Sequence, residues 1–600
     1  MNSRALVLLF ALFLAIGWGC GGDGSRQQRP PADWTRLSND VIVRIPAEPG
    51  SLHPVFAAGD NYASQVFRHL RYSLMYIDPH TGDFSPLLVK GKPDVQEIAS
   101  GPFAGGISYT YEMLPEATWD NGDPITGEDY AFCLKAILNP KVPAQRLRVY
   151  FENIRDVVVD AANPRRFTVI TDEPYILAEE AISGGFSLFP AYVYDPEGLM
   201  AGFTVRELAD SGTLAGLEND PRLQQFADLF SQDRFNREPE FIQGCGPYQL
   251  ESWESGQRLV LRRKANWWGD KLKEDYPLIK AYPSSITYRP VRDNAAAATM
   301  VKDEQLDIAV MIDSKDFVDF RDDARLNGIY EFYSPSMMAF YMIYINTRRP
   351  ELSDRLVRRA LAHAVNVEEI IETVFFGLGQ PTVGPIHPSK DYYRKDLPLI
   401  RQDFDKARSL LREAGWEDTN NDGTVDKTID GQRLEMKLDY LISNNEVTER
   451  LALLVKDAAQ RIGIELNIVA RDFQNYRTEL NNRNFDIAGG ALQAQPILDD
   501  LVQIWHTESD RPDGFNRMGF GNAESDALIE EVRHTLDKQR RDQLYREFQQ
   551  IVYDEQPVIF LMAPQGRILV HKRFDSFTSV VNPGYFPELY PLQYEAPMPE

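Results

Sequence analysis

Three cysteines in 600 residues are too few to staple a fold, and eight histidines scattered singly do not make a metal centre. Basic residues are also short. Against 89 Asp and Glu stand 64 Lys and Arg, a formal charge of −25, so no basic face is on offer to a phosphate backbone and nucleic acid is excluded as a partner. There is no Gly-x-Ser-x-Gly elbow, no phosphate loop and no His-Glu-x-x-His helix. The nearest approach to a carboxylate-based hydrolase is Asp499 beside Asp500, and adjacent acids rarely face one cleft together. An enzyme is therefore not expected. The apolar run from Ala5 to Ile16 falls short of the ~20 residues that a spanning helix requires.

What is present is ordinary globular composition, 43% hydrophobic and 26% charged, in a chain long enough for two large cores. At the N-terminus Arg4 precedes that apolar run, which has the length of a signal-peptide core. Gly17-Trp18-Gly19-Cys20 follows and looks like a bacterial lipobox, although Gly17 stands where a leucine-like residue is expected. Residues 1–19 are read as a lipoprotein signal peptide, Cys20 as the lipidated first residue of the mature chain, and residues 20–38, rich in Gly, Gln, Arg and Pro, as a flexible tether. Cys133 and Cys245 are left as either a disulfide or two buried thiols.

From Ile107 to Pro140 the chain spells out a strand, a turn and a helix. Ile107, Tyr109, Tyr111 and Met113 alternate with polar residues, as in a half-buried strand. Asp120-Asn121-Gly122-Asp123-Pro124 makes a turn. Thr126 three residues before Asp129 forms a capping box, and Phe132, Ala136 and Ile137 fall on one face of the helix it starts. Farther on, Gly244-Cys245-Gly246-Pro247-Tyr248 suggests backbone of unusual φ. The stretch from Leu199 to Glu240 is polar and periodic and reads as a helical surface elaboration. Ala339 to Ile345 is a continuous apolar run, hence a buried strand, and Leu356, Val357, Ala360, Leu361, Ala364 and Val365 recur at helical spacing.

Trp119-x-Asn121-Gly122-x-Pro124-Ile125-Thr126, Gly244-Cys245-Gly246-Pro247-Tyr248, Asn266-Trp267-Trp268, Asp354-Arg355-Leu356-Val357-Arg358-Arg359-Ala360-Leu361 and Pro381-Thr382-Val383-Gly384-Pro385 together resemble the motifs of the bacterial extracellular solute-binding proteins of family 5, the oligopeptide/dipeptide-binding type. The resemblance implies an α/β fold, two-lobed and periplasmic-binding-protein-like (class II, cluster C type), with an extra subdomain on the first lobe. It places lobe I at residues 39–334 with the inserted subdomain at about 80–240, lobe II at 335–560, and a return to lobe I at 561–600. It implies a periplasmic or cell-envelope lipoprotein, monomeric, held at the membrane by Cys20. Such a protein would pass a peptide or peptide-like solute from the cleft between its lobes to the permease subunits of an ABC importer. The alternatives are a non-peptide solute such as an oligosaccharide or opine, or a sensor or adhesion lipoprotein not coupled to transport.

In the resembled family, peptide binders hold the ligand's α-ammonium on an aspartate after the second-lobe strand that follows a Phe-Asp pair. The family pattern there is glycine, tryptophan, two small residues and the aspartate; here Leu492 and Gln495 stand at the tryptophan and the aspartate, and a neutral amide cannot offset a buried ammonium, leaving Asp499 or Asp500 to take over. Phe56, Tyr150, Tyr341, Gln493, Gln495 and Asp499 are the expected ligand-binding residues. No cofactor is expected. Asp418, Asn420, Asp422 and Asp426 have the spacing of a calcium loop, with a glycine at the sixth position but Ile429 at the twelfth, where an acid belongs. The alternative is an Asx-rich turn.

Overall fold

The computed structural model describes residues 36–594 except 273, 430, 495, 496 and 513. Its first sheet grows around the strand Asp40–Ile45, whose Val41, Val43 and Ile45 are buried. That strand pairs in parallel with Ser285–Pro290 on one side and Ile308–Val310 on the other. The hairpin Tyr248–Glu254 and Arg258–Arg263 extends one flank; Ile568–His571 and then Tyr330–Tyr333 extend the other. Seven strands from widely separated parts of the chain thus make lobe I. Asp307, fully buried, ties them together. It accepts from the Ile42 amide at 2.7 Å and from Arg573 Nε at 3.0 Å and forms an ion pair with Arg36 Nη1 at 2.9 Å, while Arg573 also donates to the carbonyls of Ser38 and Asp40.

Lobe II holds a six-stranded sheet in the order Gly379–Pro381, Val558–Pro564, Ala339–Ile345, Ile487–Gln493, Lys437–Ser443, Glu465–Arg471. The helix Arg355–Ala364 buries Val357, Ala360 and Leu361 as its spacing predicts, but buries Arg358 as well, whose guanidinium is spent on the carbonyls of Leu352, Ser353 and Glu555 and on the Glu555 carboxylate. Between the lobes run two adjacent crossings. Tyr330–Tyr333 pairs with Ile568–His571 in the first sheet, Ala339–Ile345 pairs with Val558–Pro564 in the second, and a Ser336–Gln565 bridge joins the two pairings. The hinge is one antiparallel ribbon. Since Val558–Pro564 is wholly a lobe II strand, the return to lobe I begins after Pro564 rather than at residue 561.

The inserted subdomain is built on a four-stranded sheet, Asp94–Glu97, Ile107–Glu112, Arg166–Thr171 and Ile154–Val159 in spatial order. Residues 107–112 alternate buried and half-buried, and the capping box closes as expected: the Thr126 amide donates to Asp129 at 2.8 Å, and Thr126 Oγ1 accepts from the Glu128 amide at 3.3 Å. Asp129 also accepts from the Trp119 indole at 2.9 Å, so one carboxylate fixes both turn and helix. The helix Gly127–Leu138 is buried on nearly every side, more than its expected apolar face. The reason is the Leu199–Glu240 region, which is not a surface elaboration: Leu223, Phe226, Phe230 and Phe235 are buried in the same core, with Phe132 and Phe226 ring centroids 6.2 Å apart.

The Gly244-Cys245-Gly246 turn also differs from expectation. Neither glycine has positive φ. Both are needed because the turn presses on the end of the helix Asn61–Leu70, where the Gly246 amide donates to the Leu70 carbonyl at 2.9 Å and a Cβ on Gly246 would stand 2.4 Å from the His69 carbonyl oxygen. Gly246→Ala should lower the stability of lobe I by about 3 kcal/mol, read as a fall in the thermal midpoint. Gly216→Ala, where nothing lies within 4 Å, should leave it unchanged or slightly higher.

Candidate ligand-binding site

The structure distributes the expected ligand-binding residues over both lobes, with Tyr341 and Gln493 near each other on paired strands of lobe II. Phe56 is half-buried, its ring stacked on His53 at 4.0 Å and edge-on to Phe230 at 5.8 Å. Tyr150 is 48% exposed on the turn Val149–Phe151. Tyr341 belongs to lobe II, half-buried against Phe375 at 5.4 Å. Gln493 is exposed at the end of its strand and donates its amide to the Met338 carbonyl at 2.6 Å. Gln495 and Cys20 lie outside the described residues.

Asp499 is buried, and its carboxylate is already taken. It accepts from the Tyr392 hydroxyl at 2.8 Å and lies 3.3 Å from the Lys390 ammonium, which also donates to the Ile497 carbonyl at 2.7 Å. Its neighbour points elsewhere, Asp500 accepting from the Tyr175 hydroxyl of the subdomain at 2.9 Å. Both acids are engaged within the protein, each through Oδ2, so a ligand ammonium would have to share them with Tyr392 and Lys390 or with Tyr175.

These contacts mark where subdomain and lobe II meet. Arg533 stacks 5.1 Å over the Tyr175 ring and lies 3.8 Å from Asp500, while its carbonyl accepts from the Ile176 amide at 3.0 Å. Ile176 and Leu177 are buried in the lobe II core with Phe340 and Trp505. Glu180, one turn farther along, faces the Lys390–Asp499 pair. Burial pushes its carboxyl up to about 7, the Lys390 charge pulling it down and the Asp499 charge raising it further, and its Oε2 has no hydrogen-bond partner. Tyr175, Glu180 and Lys390 were missed in the sequence, where only the run Tyr175-Ile176-Leu177-Ala178-Glu179-Glu180, an apolar triplet before paired acids, hinted at a docking edge.

The calcium-type loop is held by hydrogen bonds of the Asx-turn kind. Asp418 accepts from the amides of Asp422 at 3.2 Å and Gly423 at 2.9 Å, and Asp426 turns away to Arg433 at 2.9 Å and Thr419 Oγ1 at 2.7 Å, which hold its carboxyl down at about 2. Among the described residues no group of three or more His, Cys, Asp or Glu side chains is placed to hold a metal ion. Cys133 and Cys245 are buried free thiols, not a bridge. Cys133 Sγ donates to the Phe189 carbonyl, Cys245 Sγ accepts from the Tyr72 amide, and burial pushes the Cys245 thiol up to about 12.

A cavity of about 380 Å³ opens in lobe I, bounded by the loop Ala57 to Asp60, the helix Asn61–Leu70, the subdomain turn Gly184 to Ser187 and the C-terminal segment Val581 to Leu589. It is mostly apolar, with a few polar groups from Ser64, Gln65, Arg68 and Tyr76, the composition of a small-molecule pocket. None of Phe56, Tyr150, Tyr341, Gln493 and Asp499 lines it, although Ala57 and Leu147 bring it beside the first two in sequence.

The Glu180 carboxyl yields a pH test. Between about pH 4.5 and 7 the folded protein keeps a proton there that the unfolded chain has lost, so this group's contribution to stability is complete below pH 4.5 and is lost as the pH rises through 7. Glu180→Gln should therefore melt at a higher temperature than the natural protein above pH 7, the difference closing towards pH 4.5. Paired thermal melts across that range measure it.

The profile of the bacterial extracellular solute-binding proteins, family 5, matches residues 97–513. The oligopeptide-binding protein AppA of Bacillus subtilis (strain 168) is 26% identical over 579 residues, 96% of this chain and 95% of its own length. The structure of that AppA in complex with a nonapeptide matches 93% of this chain and 99% of its own, with a TM-score of 0.66 and 20% identity. NikA of Brucella suis in complex with Fe(III)-EDTA matches 92% and 99%, with a TM-score of 0.72 and 17% identity. Both solved proteins share the two-lobed α/β architecture described above. On the match of its sequence across both lobes, this chain belongs to the bacterial extracellular solute-binding proteins, family 5.

Proposed function

We propose that this protein captures a peptide or peptide-like solute between its lobes and delivers it to the permease subunits of an ABC importer. One observation carries the reading: the likeness to an oligopeptide-binding protein runs through 96% of the chain, so it includes both lobes, the hinge and the subdomain. The mechanics agree with capture. Two lobes joined by a single ribbon can close on a ligand, and the subdomain and lobe II already present matched polar edges at Tyr175, Asp500 and Arg533. The engaged carboxylates of Asp499 and Asp500 favour a ligand whose recognition does not depend on a buried free α-ammonium. Titrating the mature protein calorimetrically with di- to pentapeptides, free and N-acetylated, should give saturable heat with little preference for the free amine. Binding to oligosaccharides with no heat from either peptide set would overturn the peptide reading.

The family is extracellular or periplasmic, and no helix among the described residues is long and apolar enough to cross a membrane. We infer that a lipid on Cys20 tethers the folded part, the Gly- and Pro-containing stretch after it serving as spacer. Cys20→Ser should move the protein from the membrane fraction to the soluble one without altering its thermal midpoint. Retention of the serine variant in membranes would rule the anchor out.

A further inference from the structure

The lobe I cavity contains one polar side chain whose bonding is unfinished. Arg68 comes off the helix Asn61–Leu70 with its side chain only 8% exposed, and its guanidinium lies 4.5 Å over the Phe586 ring. Nη2 donates to the Tyr585 carbonyl at 3.0 Å and to Glu588 Oε2 at 2.9 Å. Nε and Nη1 make no hydrogen bond of good geometry, and besides Glu588 the Tyr76 phenol is near enough to engage the guanidinium, so the donors of this buried cation are under-used. A charged donor buried in that state is costly unless something supplies the missing acceptors.

The rest of the cavity says what that something is. Only two acids line it, and both are spent: Glu588 on Arg68, and Asp60 on the amides of Gly50, Tyr62 and Ala63. Arg71 is spent too, on the carbonyls of Leu52 and Gln243 and on the Tyr194 hydroxyl. What remains is donor character at Arg68, with the Tyr76 phenol beside it, inside a wall of Leu87, Leu147, Phe186 and Phe586. A cation would find no unpaired carboxylate there. A neutral apolar group would leave Arg68 as it is.

We propose that this cavity is a carboxylate subsite, in which Arg68 binds an anionic end or side chain of the solute while the apolar wall takes the atoms next to it. Arg68 thereby selects acidic over neutral ligands. The proposal rests on the peptide reading only for the identity of the molecule that bears the carboxylate. A guanidinium suits the role because it stays charged when buried and offers several directed N–H bonds to one oxyanion.

The bland alternative is that Arg68 merely anchors the C-terminal segment through Glu588, and two sets of measurements separate the readings. In the first, acetate and acetamide are compared as small probes by thermal shift. Acetate should stabilise the natural protein more than acetamide does, Arg68→Met should abolish the difference, and Glu588→Gln, which removes the competing carboxylate, should enlarge it. An anchor alone predicts a lower midpoint for both variants and no change in acetate preference. In the second, calorimetry compares Ala-Ala-Ala with its C-terminal amide on the unaltered protein, where folding of a variant is not at issue. The free acid should bind at least about tenfold more tightly. Equal binding of acid and amide, with acetate no better than acetamide, overturns the subsite and leaves the peptide reading intact. Acetate selectivity lost in Arg68→Met, with no binding of either tripeptide, upholds the subsite and counts against the peptide reading. Absence of both responses overturns both.

Discussion

Lobe I depends on the buried meeting of Asp307 with Arg573. The two residues stand 266 positions apart, and the strands they secure come from the beginning, middle and end of the chain. A carboxylate in the interior is unfavourable by itself, and burial does raise the Asp307 carboxyl, with the charges of Arg573 and Arg36 working in the opposite direction. What makes the arrangement tolerable is that the groups share out their bonds: Asp307 takes a backbone amide as well as two guanidinium groups, and Arg573 spends its other N–H groups on the carbonyls of Ser38 and Asp40. Removing either partner would leave the other buried and unmatched, which is worse than having no pair at all. The interaction is therefore better understood as a specification of which chain segments meet than as a source of net stability.

The same logic recurs where subdomain meets lobe II. Lys390, Asp499 and Tyr392 satisfy one another inside lobe II, and the subdomain brings to them a further acid, Glu180, whose carboxyl burial raises to about 7. The neighbouring contacts of Tyr175 with Asp500 and Arg533 are half-exposed and individually weak. A protein that must separate its lobes to load and unload is served by a seam of this kind, in which apolar insertion of Ile176 and Leu177 gives attachment and the polar groups give register.

Legibility in the sequence followed the range of the interactions. Thr126 and Asp129 are three residues apart, and their capping box was readable because the bonds are local. Strand alternation at Ile107–Glu112 and the helical repeat of Arg355–Ala364 were readable for the same reason. Leu199–Glu240 was misjudged because its many charges conceal Phe226, Phe230 and Phe235, which point to a core contributed by residues nearly a hundred positions earlier. Gly246 was assigned to glycine for φ, when the true reason, the nearness of the His69 carbonyl, exists only in three dimensions. The site was the least legible part. Asp499 was identifiable as a candidate for the ligand's ammonium, but Lys390, 109 residues earlier, already pairs with it, and nothing in the local pattern announces the pairing. Arg68 lies inside an amphipathic helix, where an arginine reads as solvated surface, and the residues that enclose it come from Gly184 to Ser187 and from the far C-terminal segment.

The ribbon that joins the lobes has a bearing on how the molecule comes into being. Every strand of the lobe II sheet falls between residues 339 and 564, so that lobe can close upon itself as soon as its own stretch of chain exists. The lobe I sheet has a gap between Ile308–Val310 and Tyr330–Tyr333 that only Ile568–His571 fills. A polypeptide that emerges N-terminus first therefore carries an unfinished first sheet, two of its strand edges open, until almost its last residues have appeared. The lobe I sheet can be completed only after lobe II has been synthesised, and until then those two edges are open to pairing with the wrong strand.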